Sequence, residues 1–141
     1  QGVTAVETIA GLDPPRLDYE LMPKATYCRP QIASFGLTEA KARERGLSVK
    51  TGKFPFAASG KAMALGETDG MVKLGVDAEI GDVLGAHMIG SEVTELLGEL
   101  GLAKLLESTT KELGWLVHPH PTISEMVKEA ALATDGEAIH I

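Results

Sequence analysis

The segment His118-Pro119-His120-Pro121-Thr122-Ile123-Ser124-Glu125 constrains this chain more than any other. Each proline fixes its own φ at about −65° and biases the residue before it toward extended backbone. No regular helix can run through the stretch, so His118 and His120 are expected in a stiff lead-in. Thr122-x-x-Glu125 then reads as a capping box, in which a hydroxyl and a carboxylate satisfy the first free N–H groups of a helix. Ile123, Met126, Val127, Ala130 and Ala131 follow at helical spacing and predict its buried face. A histidine is thereby set just outside a buried helix, with a carboxylate in the first turn of that helix.

Residue chemistry alone leaves three readings of this segment open. The Thr and Glu can be a cap and nothing more. The His-x-His pair can ligate zinc, although structural zinc sites want four ligands and the chain has one cysteine. Or Glu125 holds one imidazole nitrogen as N–H and leaves the other free to move protons.

The rest of the chain sets the context. Its 141 residues suit one domain with a real core. The hydrophobic share of 44% places it among folded, soluble chains. No apolar run approaches the roughly 18–20 residues of a membrane span, and no secretory signal is visible. A net charge of −7 argues against nucleic acid, which needs clustered Lys and Arg, and suits a basic protein partner. The lone Cys28 cannot form an internal disulfide or a dithiol centre. A reducing, cytoplasmic setting is expected. The chain begins at Gln1 without Met, so a piece of a longer protein is expected.

Taken in order, residues 1–11 read as helix, with Val3, Val6 and Ile9 on one side. Asp13-Pro14-Pro15 breaks it. Two extended pieces, 25–28 and 32–35, flank Arg29-Pro30. Thr38 caps a short helix over 39–45 that Gly46 ends. Residues 48–56 alternate as a strand, and 57–62 turn into a short helical piece. A hairpin of 71–77 and 83–89 follows. Ser91 is expected to cap the longest helix, 92–107. Its apolar positions cover so much of its girth that it should pack on more than one surface. A short turn of helix over 109–113, ended by Gly114, leads into the histidine segment. Cys28 is expected as a small core residue, His87 as a packed or hydrogen-bonded residue, His118 as a local hydrogen-bonding residue, and His140, in the tail, as packing near the site. Lys61 and Arg29 are expected on the solvated surface.

His-x-His-Pro-Thr-x-Ser-Glu resembles the C-terminal signature of the dihydrolipoamide dehydrogenases, which are flavoprotein disulfide reductases. The Pro-x-Ile-Ala-x-x-Gly-x-Thr-Glu run from Pro30, the Lys53-Phe54-Pro55-Phe56 run and the Leu84-Gly85-Ala86-His87 run are similar to the same family's interface domain. Met126 stands where glutathione reductase and its relatives carry a second acidic residue, which favours the lipoamide branch.

The resemblance implies an α+β fold, an antiparallel sheet flanked by helices. Residues 1–22 would be the tail of a preceding FAD domain plus a connector, and residues 23–141 the dimerisation domain. His120 matches the catalytic base and Glu125 the carboxylate that orients it. Backbone at His120-Pro121 would approach a flavin, across a His120–Pro121 bond that is usually cis in the family. The full enzyme would use FAD and NAD, with neither expected bound to this chain alone and no metal. Its partners would be a second copy, whose FAD domain carries the disulfide, and an acyltransferase with its subunit-binding domain and lipoyl arm. Two alternatives remain: a pure assembly module, or the same domain of a reductase for glutathione or a related thiol.

Overall fold

Alternating apolar and polar residues build five antiparallel strands in the computed structural model, which describes residues 1–141. They are β1 Lys24–Thr26, β2 Gln31–Gly36, β3 Val49–Pro55, β4 Met71–Asp77 and β5 Val83–Gly90, in the spatial order β1-β2-β5-β4-β3. Period-two alternation sends every second side chain to one face. On that face the register aligns Phe54, Val72, Met88 and Ala33 in one row, and Leu74, Ala86 and Phe35 in the next. All seven are buried. The fold is the α+β arrangement that the family resemblance implied.

Six α-helices accompany the sheet: α1 Gly2–Ile9, α2 Glu39–Glu44, α3 Gly60–Leu65, α4 Leu97–Leu105, α5 Thr110–Trp115 and α6 Glu125–Leu132. Helix α6 lies across β3 and β4 and buries Met126, Val127, Ala130 and Ala131 in the core. Burying a side chain the size of Met126 or Val127 stabilises a fold by about 1.5–3 kcal/mol. Gly52 of β3 permits this close approach. A Cβ there would be driven into the Ala130 carbonyl and the Thr134 backbone. The sheet therefore fixes how near α6 sits, and α6 carries Glu125.

Local signals set the starts of three of the six helices, α2, α3 and α5. The Thr38 hydroxyl accepts from the Lys41 N–H, and Ser59 does the same for Ala62. Gly66 ends α3 in the left-handed region at φ +71°, which a residue without Cβ adopts freely. Thr109 and Glu112 form a reciprocal capping box at the start of α5.

Four expectations are corrected. The 92–107 helix is regular only from Leu97 to Leu105. Ser91 does not cap it, because Glu92 takes φ +58° and Thr94 turns its N–H and hydroxyl to Gln31 Oε1 on β2. Gly114 lies inside α5, packed against Leu132. Helix α6 starts at Glu125, and only half of the expected capping box forms there. Cys28 is exposed, with its thiol hydrogen-bonded to the Pro30 carbonyl at 3.0 Å. The first extended piece stops at Thr26, which leaves Cys28 in a turn outside the core.

One face of several helices has no partner in the chain. Val3, Val6 and Ile9 of α1 are exposed, as are Leu102 and Leu105 of α4 and Trp115 of α5. Leu96, Leu97 and Leu100 face the core, so α4 does carry apolar residues on two sides. No helix is long and apolar enough to cross a membrane.

Candidate active site

His120 and Glu125 meet. The two prolines hold the histidine in an extended lead-in, and the first turn of α6 brings the carboxylate back beneath it. His120 Nδ1 donates to Glu125 Oε1 at 2.9 Å, and Thr122 N–H donates to Oε2 at 2.8 Å. A single carboxylate thus closes the helix start and fixes the imidazole. The Thr122 hydroxyl, expected to cap the helix, instead donates to the Pro119 carbonyl at 2.7 Å and meets Ser124 Oγ at 2.9 Å. That bond closes the turn around the His120–Pro121 peptide, which is cis.

The ring of His120 points away from its own core, with 76% of the side chain exposed. Its Nε2 has no partner within the chain, so one nitrogen is committed to Glu125 and the other is open to solvent or to another molecule. Partial burial raises the Glu125 carboxyl's pKa, but the Thr122 N–H and then the His120 ring outweigh it. The carboxyl is held below the usual carboxylate range. It is ionised at neutral pH and accepts from the ring as a charge-assisted partner.

The two residues line an open cleft of about 370 Å³. Met63, Val117 and Ile139 supply its exposed apolar lining, with the buried Phe54 beneath. Three further side chains reach it. His118 is not a local hydrogen-bonding residue: its Nε2 pairs with Glu99 Oε1 of α4 at 2.9 Å, with only 5% of the side chain exposed. Glu129 is buried and holds His140 Nδ1 at 2.9 Å. His140 therefore packs beside the site as its position in the tail suggested. The remaining histidine, His87, pairs through Nε2 with the Leu37 carbonyl on the far side of the sheet.

No three His, Cys, Asp or Glu side chains are grouped as metal ligands would be. Arg29 is on the surface, with Glu67 at 3.6 Å.

The model of the dimerisation domain of pyridine nucleotide-disulphide oxidoreductases matches residues 22–131. The chain belongs to that family. Relatives named dihydrolipoyl dehydrogenase match it along nearly its whole length. The one from Bacillus subtilis is 54% identical over 99% of the chain, and the one from Corynebacterium glutamicum 50% over 99%. The chain spans about 30% of the length of each. Among solved structures, LpdA from Mycobacterium tuberculosis superposes with a TM-score of 0.84 at 22% identity, over 93% of this chain and 28% of that one. The disulfide reductase RclA from Escherichia coli gives 0.81 at 23%, over 89% and 29%. At those identities the structural matches speak to the fold, and the fold is that of this dimerisation domain.

Sequence reasoning missed Glu99 and Glu129. Glu99 pairs with a residue on another helix, and no spacing rule connects them. Glu129 did leave a signal. It sits four residues after Glu125, on the same helix face and among apolar neighbours, where an unpaired carboxylate is costly.

Proposed function

We propose that this chain is the dimerisation domain of a dihydrolipoyl dehydrogenase, supplying the proton-transferring pair His120–Glu125 to a disulfide on the partner subunit of a homodimer. One observation carries the reading: His120 is oriented by its own chain but faces away from it. Its target must come from outside, since the single cysteine of this chain cannot form the redox pair. Residues 1–22 are then the tail of the FAD domain plus a connector, and the bare face of α1 is where that domain packs.

The chemistry follows from the ordinary acidity of a thiol. A free thiol ionises at about pH 8.5, so at neutral pH a substrate thiol needs a base, and the open Nε2 of His120 is placed to accept its proton. The thiolate left behind is the nucleophile that attacks a disulfide. Glu125 keeps Nδ1 protonated, directs Nε2 at the thiol, and stabilises the imidazolium that forms.

FAD, with NAD as final acceptor, would take up the electron pair in the full-length enzyme. His120 and Pro121 fit such a neighbour, because both are exposed and His120 lines the cleft. They would border the cofactor rather than hold it, as the chain has no Gly-rich dinucleotide fingerprint. Met126, in place of a second acidic residue, and relatives at 50–54% identity favour dihydrolipoamide over glutathione. The net charge of −7 suits docking of a basic acyltransferase subunit-binding domain. The lone cysteine suits a reducing, cytoplasmic setting.

The exposed apolar surface of Leu102, Leu105 and Trp115 supports a second reading, in which the domain only assembles. His120→Gln in the full-length protein separates the two. Loss of dihydrolipoamide oxidation from an intact dimer supports the proton-transfer reading; near-normal turnover leaves assembly alone. Assays of the unmodified enzyme with lipoamide and glutathione decide the thiol.

A further inference from the structure

Glu129 is a carboxylate where the helix otherwise buries apolar side chains, between Val127 and Ala130. Burying a charge there is unfavourable unless every lone pair direction finds a donor. All of its donors come from the last residues of the chain. Ile139 N–H and His140 N–H reach Oε2 at 2.9 and 3.2 Å, and His140 Nδ1 reaches Oε1 at 2.9 Å. Burial raises the Glu129 carboxyl's pKa, and the His140 ring with the two N–H groups more than reverses that, so the group stays ionised at neutral pH. The tail is thereby pinned across α6.

The pinning gives His140 the same arrangement as His120. Each ring is held at Nδ1 by a carboxylate of α6, and Glu125 and Glu129 are one turn apart on one helix face. Each Nε2 is without a partner in the chain. Both rings line the same cleft, and the His140 side chain is 64% exposed.

We propose that His140 is a second substrate-contacting residue of this cleft, accepting a hydrogen bond from the second thiol of a dithiol carried on an alkyl chain, and that Glu129 is its positioning residue. A dithiol presents two S–H groups. His120 deals with the one that becomes the attacking thiolate, and His140 holds the other. The exposed apolar surface of Met63 and Ile139 suits the methylene chain between thiols and carrier. This inference rests on the proposed dithiol-oxidising function and adds a specificity contact to it.

The test uses the full-length enzyme with dihydrolipoamide. His140→Ala should raise KM about three- to tenfold, the worth of one hydrogen bond to substrate. Its kcat should change by no more than about twofold, because the contact is made equally in ground and transition states. Reduction of a quinone by NADH through the flavin, which bypasses the thiol, should be unaltered. His140→Gln, whose amide reaches the same region, should recover part of the KM. An unchanged KM in His140→Ala overturns the inference, as does a parallel fall in quinone reduction. His120→Gln run alongside distinguishes the failures. If it abolishes dithiol turnover while His140→Ala behaves as wild type, only the second contact is wrong. If it leaves turnover intact, the proposed function itself is wrong.

Discussion

His118 and His120 stand two residues apart on the same stiff segment, and each is 2.9 Å from a carboxylate. Their surroundings differ completely. The His118 side chain is 5% exposed and its partner Glu99 belongs to α4, nineteen residues away. His120 is 76% exposed and its partner is in the next turn of chain. His118 Nδ1 is enclosed by protein with no partner, whereas His120 Nε2 is open. Equal hydrogen-bond lengths therefore say little about role. Access decides it: the buried pair ties the segment to α4, and the exposed pair is available for chemistry.

The strongest way to break this contrast is to exchange the consequences. In the full-length enzyme, His120→Gln should lower dihydrolipoamide turnover by about 10²–10⁴-fold, the usual contribution of a general base. Its midpoint of urea unfolding should move little, because an exposed pair of this kind contributes about 0–1 kcal/mol. His118→Ala should do the reverse. Leaving Glu99 without its ring should reduce stability by about 1–3 kcal/mol, read from urea unfolding, while turnover falls far less than for His120→Gln. A His118 variant of normal stability and abolished turnover would erase the distinction.

Acid sharpens the contrast further. Glu125 has a folded pKa below its ordinary value of 4.5, so its ionised form binds the folded state more favourably than the unfolded one. That stabilisation is fully present above pH 4.5 and is lost as pH falls through the lowered value. Wild type and Glu125→Gln should therefore differ most in urea midpoint at neutral pH and converge under strong acid. A gap that widened on acidification would contradict the geometry. The smallest effect is expected from Thr122→Ala. It removes the hydroxyl bond to the Pro119 carbonyl and should cost about 0.5–1.5 kcal/mol in urea unfolding. Any loss of turnover would show that the turn also aims the His120 ring.

Much of this was legible in the chain because local rules govern it. Period-two alternation announced β3, β4 and β5, and the Thr38 cap with Gly46 bounded α2. The proline-spaced histidines and the acid at Glu125 offered the pair as one of three readings, since both partners lie within a few residues, and the family resemblance selected it. What failed was non-local. Residues 91–96 look helical, yet Gln31 of β2 captures Thr94 and holds that stretch out of a helix. Cys28 has a core residue's character, yet the chain turns outward before reaching it.

The sequence alone determined the family signature, the alternation of the strands and the short spacing that puts His120 within reach of Glu125, while the sheet architecture and the choice of the paired reading came from the family resemblance. Alternation and spacing run along the backbone, which a linear text records directly. Only the tertiary structure decided that His118 is sealed against Glu99 while His120 is open, and that Glu129 fastens the tail to bring His140 into the same cleft. Those outcomes depend on which surfaces α4, α6 and the chain end bury together, and burial is a property of the packed whole.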